Sequence, residues 1–426
     1  MAEFSAAVYQ NEFLPDGGTD VNAIVTITCT GAGTAGQTGG GSAGEIIIVD
    51  TSGSMGPATM AAAKQAAQAA LAEIVDGTWF AVVAGSDRAM LAYPKVSSGP
   101  GMVPMDATTR AEAARAIDQF VGSGGTAIST WLDLANTLFA SVPEVTQRHA
   151  ILLTDGENRE DSNKLDAAIN RATGVFQCDC RGAGTDWQVE EIRRIAQALL
   201  GTVDIIPQPA QMQEQFQQIM RKAMSRGVAD AQLRVWTPQG AQVLFVRQVS
   251  PTVEDLTSRR TEVDALTGAY PTGAWSDESR DYHIAVRVAA KAIGQEQLAA
   301  RVQLALGTDV VTQGLVKATW SNDSELTAKI DAQVAHYTGQ TELAQMIQEG
   351  LAAKAAGDEA TATTKLGRAV QLAAETGNDE ATSKLRKVVD VEDEKEGTVK
   401  LKAAVDKADE MALDTASTKT TRIKRG

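Results

Sequence analysis

One short apolar run ends in a cluster of oxygen-bearing side chains. Residues Glu45 to Val49 are typical of a strand buried in a parallel sheet, and Asp50-Thr51-Ser52-Gly53-Ser54 follows at once. The pattern predicts a loop at the end of a buried strand that carries one carboxylate and several hydroxyls. Such oxygens are the ligands that hard divalent cations prefer.

Two remote segments supply further oxygens. Thr126 follows two glycines, and Asp155 follows a second apolar run that ends at Leu153. Added to Asp50, Ser52 and Ser54, they give five side-chain oxygens, whereas a magnesium-like ion takes about six. The vacant position suits a carboxylate from another protein, because neutral hydroxyls leave the ion electrophilic. The alternative is a set of capped loops that bind no metal.

These three segments resemble the metal-ion-dependent adhesion site of the von Willebrand factor type A family, which reads Asp-x-Ser-x-Ser, then Thr, then Asp. The resemblance covers roughly residues 43 to 228. It implies a site for Mg²⁺, or for Mn²⁺ or Ca²⁺, that is formed by Asp50, Ser52, Ser54, Thr126 and Asp155. It also implies that the protein is of the bacterial cytoplasmic type, whose members are often linked with AAA+ ATPases, kinases or phosphatases.

The order of strand and helix signals predicts the architecture. From Glu45 the signals alternate as in a doubly wound, mostly parallel α/β domain. After Gly227 short alternating strands predict a β-sandwich, which the first strands join because an isolated pair is only marginally stable. The α/β domain is then inserted in the sandwich, and an α-helical C-terminal region follows. Within that region we expect a solvated hinge at 390–396 and a last helix at 399–413.

The predicted domains follow from these boundaries. They are 1–42, N-terminal strands and a Gly-rich connector belonging to the sandwich; 43–228, the α/β domain; 229–320, the sandwich; 321–413, the helical region; and 414–426, a disordered basic Thr-rich tail. The connector contains a GxGxxG match, Gly31 to Gly36. Only residues 37–44 separate it from the next strand, which is too short for the crossover helix of a nucleotide-binding unit.

Composition restricts the partners. A formal net charge of −15 argues against nucleic acid or an anionic membrane as the main partner, because phosphates attract clustered Lys and Arg. The start of the chain does not read as a signal peptide, and no apolar stretch approaches ~20 residues. A cytoplasmic protein is therefore expected. Its three cysteines should be reduced, with Cys178 and Cys180 packed in the core, and its three histidines should have local roles.

The last ten residues contain four basic residues and no acidic one. Thr420, with Ile423 three residues later, resembles a ligand of forkhead-associated domains, which bind phosphothreonine. One interpretation is that Thr420 and Thr421 are phosphorylation sites. The other is a basic tail that solubilises the chain or neutralises a partner.

Two functions remain open. The first is a non-enzymatic, metal-dependent interaction module, a scaffold or regulator in a cytoplasmic complex, whose partner donates an Asp or Glu to the metal. The second is a metal-dependent hydrolase in which Asp50 or Asp155 helps the ion to activate water. Catalysis would need a general base and charge-stabilising groups, and Arg88, Arg148 and Arg159 are the nearest basic residues in sequence.

Overall fold

The computed structural model describes residues 2–36, 42–95 and 101–423. The chain forms two compact units. The first comprises mainly Gly31–Asp230 and Gly273–Asp277, and the second comprises Glu3–Thr30, Ala231–Thr272 and the residues from Glu278 onward. The boundary after Thr30 assigns the predicted Gly-rich connector to the first unit rather than to the sandwich. Residues 37–41 of that connector lie outside the described residues.

Three strands open the chain. They are β1 (Glu3–Gln10), β2 (Phe13–Leu14) and β3 (Asp20–Thr30). β3 pairs antiparallel with β1 along its length, with Ile24 opposite Tyr9. Most of β3 is buried, whereas β1 alternates between exposed and half-buried positions as an edge strand does.

The first unit contains a mostly parallel sheet. Its strands are β4 (Ser42–Asp50), β5 (Trp79–Gly85), β6 (Ala89–Tyr93), β7 (Val103–Pro104), β8 (Val145–Gly156), β9 (Gln177–Asp186) and β10 (Val203–Ile206). They are ordered β10-β9-β8-β4-β5-β6, and β7 also pairs with β5. In the part of the chain that the structure describes, β6 and β7 pair antiparallel with β5, and the other neighbouring strands pair parallel. Ile46 to Val49 are fully buried because β4 is an interior strand covered on both faces.

Helices cover both faces of this sheet. They are α1 (Pro57–Glu73), α2 (Ala107–Asp118), α3 (Ile128–Ala140), α4 (Ser162–Ala172), α5 (Val189–Ala198) and α6 (Met212–Met224). α1, α2 and α6 share one apolar core with alternate strand residues such as Ile47 and Ile151. α3 approaches the other face so closely that a Cβ at Gly44 would lie 3.2 Å from Phe139. The predicted doubly wound α/β fold is confirmed.

The second unit contains two antiparallel-rich sheets. Its further strands are β11 (Val228–Trp236), β12 (Gln242–Ser250), β13 (Glu254–Asp255), β14 (Thr261–Asp264), β15 (Thr267–Trp275), β16 (Glu278–Arg287), β17 (Glu296–Leu306) and β18 (Asp309–Trp320). One sheet has the order β1-β3-β16-β12-β13 and the other β14-β15-β11-β17-β18-β2. The two sheets face each other at Gly314 of β18, where an added Cβ would lie 2.6 Å from Val8 of β1.

The first strands complete this sandwich from the other end of the chain. β3 pairs with β16 over ten residues, from Asp20 opposite Arg287 to Cys29 opposite Glu278. β2 pairs with the end of β18. The chain therefore leaves the sandwich after β3, forms the α/β domain and returns at β11, so the predicted insertion is confirmed.

A helical region follows the sandwich. It contains α7 (Ser324–Thr327), α8 (Ala332–Ala355), α9 (Glu359–Glu375), α10 (Asp379–Val388), β19 (Val389–Asp393), β20 (Thr398–Leu401) and α11 (Lys407–Ala416). α8 and α9 form a hairpin that packs closely at Gly350, where an added Cβ would lie 2.8 Å from Leu366. Among the described residues, no helix has the length and apolar character needed to cross a bilayer.

Two expectations for the end of the chain are wrong. The predicted hinge and the start of the predicted last helix instead form the hairpin β19–β20, because Val389 and Val399 are buried in the core of the helical region. The predicted disorder from residue 414 is also wrong for 414–423. α11 continues to Ala416, and the residues after it bind the sandwich and α8 through main-chain hydrogen bonds that composition does not reveal. Residues 424–426 lie outside the described residues.

Candidate metal centre

The three oxygen-bearing segments meet at the carboxyl edge of the parallel sheet. β4 ends at Asp50 and β8 ends at Gly156, and the two strands are neighbours. The loop before α3 reaches the same edge, since Gly53 N donates to Gly124 O (2.9 Å) and Ser123 N donates to Thr51 O (2.8 Å). In doubly wound sheets this edge is where ligands bind.

Asp50 is fully buried and fixed in orientation. One carboxylate oxygen accepts a hydrogen bond from Ser52 N and the other accepts one from the Thr154 hydroxyl, both at 2.7 Å. Burial raises the pKa of Asp50 from its ordinary value, although the bonds from Ser52 and Thr154 oppose this shift. Sequence reasoning missed Thr154, which directly precedes Asp155.

Two serines connect Asp50's loop to the second carboxylate. The Ser52 and Ser54 hydroxyl oxygens are 2.8 Å apart, and Ser54 donates to Asp155 Oδ1 at 2.7 Å. Burial, together with the charges of Asp50 and Asp186, raises the pKa of Asp155 to about 6, although the Ser54 hydrogen bond lowers it. Ser54 is exposed, so solvent reaches the cluster from its side.

Thr126 completes the set. Its side chain is buried, and a Cβ added at Gly156 would lie 3.5 Å from its Oγ1 and only 2.9 Å from Ser54 Oγ. The two hydroxyls therefore converge beside Gly156, where the missing side chain leaves room for them. The structure thus gathers Asp50, Ser52, Ser54, Thr126 and Asp155 at one place.

Residues after Asp155 hold the Thr126 loop. Arg159 N donates to Thr126 O (2.9 Å), and the Asn158 side chain accepts from Ile128 N (3.2 Å). Glu160 accepts from both the main-chain N–H and the hydroxyl of Ser129, at 2.7 and 2.5 Å. Asn158 and Glu160 were not predicted, because their role depends on where α3 begins.

The donor set fits a hard cation. Two carboxylates and three hydroxyls converge, and besides burial the negative charges of Asp50 and Asp186 both raise the pKa of Asp155. Paired buried carboxylates without a cation are costly. Within the described ranges, no cluster of three or more His, Cys, Asp or Glu side chains is arranged to hold a metal ion.

The other residues singled out in the sequence lie in different settings. Arg148 is near the start of β8, seven residues before Asp155, and its guanidinium donates to Val145 O. Arg88 and Arg159 are exposed. Cys178 and Cys180 are fully buried with their sulfurs 3.8 Å apart, as expected for core thiols.

Thr420 and Thr421 of the tail are both held in place by hydrogen bonds. The Thr420 hydroxyl donates to Val249 O at 2.7 Å. Thr421 exchanges main-chain hydrogen bonds with the Gln340 side chain. Whether either is phosphorylated stays a prediction.

Comparisons with known proteins identify the family of this chain. Residues 45–205 match the von Willebrand factor type A domain, and residues 371–417 match the von Willebrand factor type A C-terminal domain. An uncharacterized protein of Synechocystis sp. is 26% identical over 216 residues. That match covers 50% of this chain and 49% of the relative, so it spans about half the relative's length.

Two solved structures resemble the whole chain. The ArnB paralog VWA2 from Sulfolobus acidocaldarius shares the fold, with a TM-score of 0.58 and 14% identity over 98% of each chain. A von Willebrand factor type A protein from Catenulispora acidiphila is 45% identical, with a TM-score of 0.92 over 99% of this chain and 97% of that one. Identity at this level over nearly the full length, together with the two matched domains, shows that the chain belongs to the von Willebrand factor type A family.

Proposed function

We propose that this protein is a metal-dependent protein-interaction module and not an enzyme. Asp50, Ser52, Ser54, Thr126 and Asp155 would hold one divalent cation, and the cation would attract a carboxylate from a partner protein. The family is known for metal-dependent interactions of this kind. The observation that carries the proposal is the linkage of two buried carboxylates, Asp50 and Asp155, through Ser52 and Ser54, with the Thr126 hydroxyl beside them.

The donor chemistry favours Mg²⁺ over softer ions. Hydroxyl and carboxylate oxygens suit Mg²⁺, Mn²⁺ and Ca²⁺, and a compact set with few protein ligands suits Mg²⁺ best of these. The chain's own residues orient the donors. Thr154 and the Ser52 N–H fix Asp50, and Glu160 fixes the loop that carries Thr126.

The partner would supply an Asp or Glu, because an acidic side chain completes the coordination and balances charge left by the neutral hydroxyls. We place this interaction in a cytoplasmic complex in which the protein acts as a scaffold or regulator. AAA+ ATPases, kinases, phosphatases and forkhead-associated proteins are the partner classes that we would test first.

Calorimetry tests the metal site directly. Titration of Mg²⁺ into the full chain should show saturable uptake, and Ser52→Ala should weaken it by about tenfold or more. Ser225→Ala is the matched control, because the exposed Ser225 hydroxyl donates to nearby Lys222 O, and the variant should bind Mg²⁺ like the wild type. No cation uptake by the folded wild type would refute the proposal.

Affinity capture tests the partner. The wild-type chain should retain a protein from extracts of its source cells, and chelation should release it. Ser52→Ala should fail to retain that same protein, identified by mass spectrometry, while Ser225→Ala retains it. A partner that binds equally well with chelator present would contradict the metal-dependent role.

A further inference from the structure

The segment after α11, residues 417–423, runs along the end of β12. Val253 N donates to Thr418 O at 2.7 Å, and Thr420 N donates to Pro251 O at 3.0 Å. Thr252 and Lys419 form an antiparallel bridge. The segment therefore binds as a short added strand, mainly through its main chain, which is how sheets accept extended peptides.

Buried polar side chains hold the other side of the segment. Gln340 of α8 is only 1% exposed, and it donates to Thr421 O (2.6 Å) and accepts from Thr421 N (3.2 Å). Asn378, also buried, donates to Gln340 Oε1 at 3.1 Å and fixes the orientation of that amide. His336 Nε2 lies 2.8 Å from the same Thr421 oxygen. These groups form a groove built for an extended chain.

Thr420 is the position where chemistry could open this groove. Its hydroxyl donates a hydrogen bond to Val249 O at 2.7 Å, and this bond needs the hydroxyl hydrogen. The next anchor is Arg422, whose guanidinium lies 3.1 Å from Asp281 Oδ1. Asp281 is buried, whereas Arg422 is 43% exposed, so this ion pair closes the outer end of the groove.

We propose that Thr420 is a phosphorylation site and that its phosphate releases the segment from the groove. A protein kinase would transfer the γ-phosphoryl group of ATP to Thr420 Oγ1. The bond to the β-phosphate oxygen breaks, ADP leaves, and the hydroxyl loses its proton to the kinase's base. The esterified oxygen can no longer donate to Val249 O, and a dianionic group is placed against that carbonyl oxygen.

Release would expose two complementary surfaces. The Pro251 carbonyl, the Val253 N–H and the Gln340 amide would lose their partners in the segment. The freed segment would present a phosphothreonine with Ile423 three residues later. The chemistry fits a partner domain that binds phosphothreonine and a following aliphatic side chain. This inference is independent of the metal site.

Hydrogen exchange on the full chain tests the release. Phosphothreonine introduced at position 420 by genetic encoding should raise amide exchange of the segment and of Val253 by about tenfold or more. Phosphothreonine at Thr308, an exposed position of the same unit, adds the same charge and should leave these amides unchanged. Equal protection in the 420-phosphorylated and unmodified chains would overturn the proposal.

Two further measurements separate its parts. Thr420→Val removes the donor without adding charge, so its exchange should rise less than that of the phosphorylated chain; an equal rise would overturn the role of charge. Phosphopeptide mapping of the protein from its source cells should find phosphate on Thr420. Phosphate found only on Thr418 or Thr421, or on neither Thr420 nor its neighbours, would overturn the modification.

Discussion

His149 lies between two carboxylates inside the first unit. Its Nδ1 is 2.6 Å from Glu45 and its Nε2 is 3.0 Å from Asp179, and all three side chains are buried on neighbouring strands. Burial alone would lower the pKa of His149, but Glu45 and Asp179 raise it to about 9. Desolvation likewise opposes ionisation of Asp179, yet His149 and Arg226 hold the pKa of that carboxyl well below its usual range.

The raised pKa of His149 predicts a loss of stability at alkaline pH. Because the folded pKa exceeds the ordinary 6.5, the stabilisation is complete below pH 6.5 and disappears as the pH rises to about 9. The loss should be on the order of 3 kcal/mol in unfolding free energy. Urea unfolding from pH 6 to 9.5 measures it, with His149→Gln as the reference. Equal pH dependence in both proteins would contradict the prediction.

Gly156 makes room for two hydroxyls of the candidate metal centre. In Gly156→Ala, the new Cβ would lie 2.9 Å from Ser54 Oγ and displace it from Asp155. Mg²⁺ affinity should fall by about tenfold, since groups that orient ligands affect metal binding strongly. Calorimetry measures the change.

Gly56→Ala is the matched control for Gly156→Ala. It is the same substitution near the same loop, but a Cβ there meets nothing within 4 Å. Mg²⁺ affinity should stay that of the wild type. An equal effect of the two substitutions would show that Ser54 is not the group affected.

At the scale of single elements, the loop after β8 fixes the start of α3. Glu160 accepts two hydrogen bonds from Ser129, which lies three residues after Thr126, and places its charge at the N-terminal end of that helix. Glu160→Gln should weaken Mg²⁺ binding by about tenfold and lower the unfolding free energy by roughly 1 kcal/mol. Titration calorimetry and urea unfolding measure the two effects.

The neighbouring residue gives the control for Glu160. Asp161 caps α4 by accepting from Asn163 N, so Asp161→Asn also removes a carboxylate from a helix start. It should leave Mg²⁺ affinity unchanged, because the cap belongs to a different helix. Weaker binding in both variants would attribute the effect to lost charge and not to the Thr126 loop.

What the sequence predicts also differs between elements. The ends of β4 and β8 could be placed because a buried apolar run and the polar residue after it are both local signals. Glu45, His149 and Asp179 lie within or beside apolar runs, which is a local signal for a buried ion-pair network. The network itself was not predicted from this signal. The segment after α11 could not be predicted, because its bonds go to residues such as Gln340 and Pro251 that are distant in sequence.

At the scale of the whole molecule, each unit has its own core. Ile47 of β4 packs in the core under α1, α2 and α6, and Ile24 of β3 packs with Val249 and Tyr337. The insertion could be predicted from strand order, since the first strands needed a sheet to join. The unit boundaries could not, because they follow from contacts between distant residues.

Separate cores predict separate effects of equivalent substitutions. Both isoleucines are fully buried, so Ile24→Ala and Ile47→Ala should each lower the unfolding free energy of their own unit by about 3 kcal/mol. Ile24→Ala should speed amide exchange in β16 and leave β8 and Mg²⁺ affinity unchanged. Ile47→Ala should speed exchange in β8 and leave β16 unchanged. Hydrogen exchange followed by mass spectrometry measures both effects. If either variant accelerated exchange equally in β8 and β16, each core would depend on the other and the units would unfold as one.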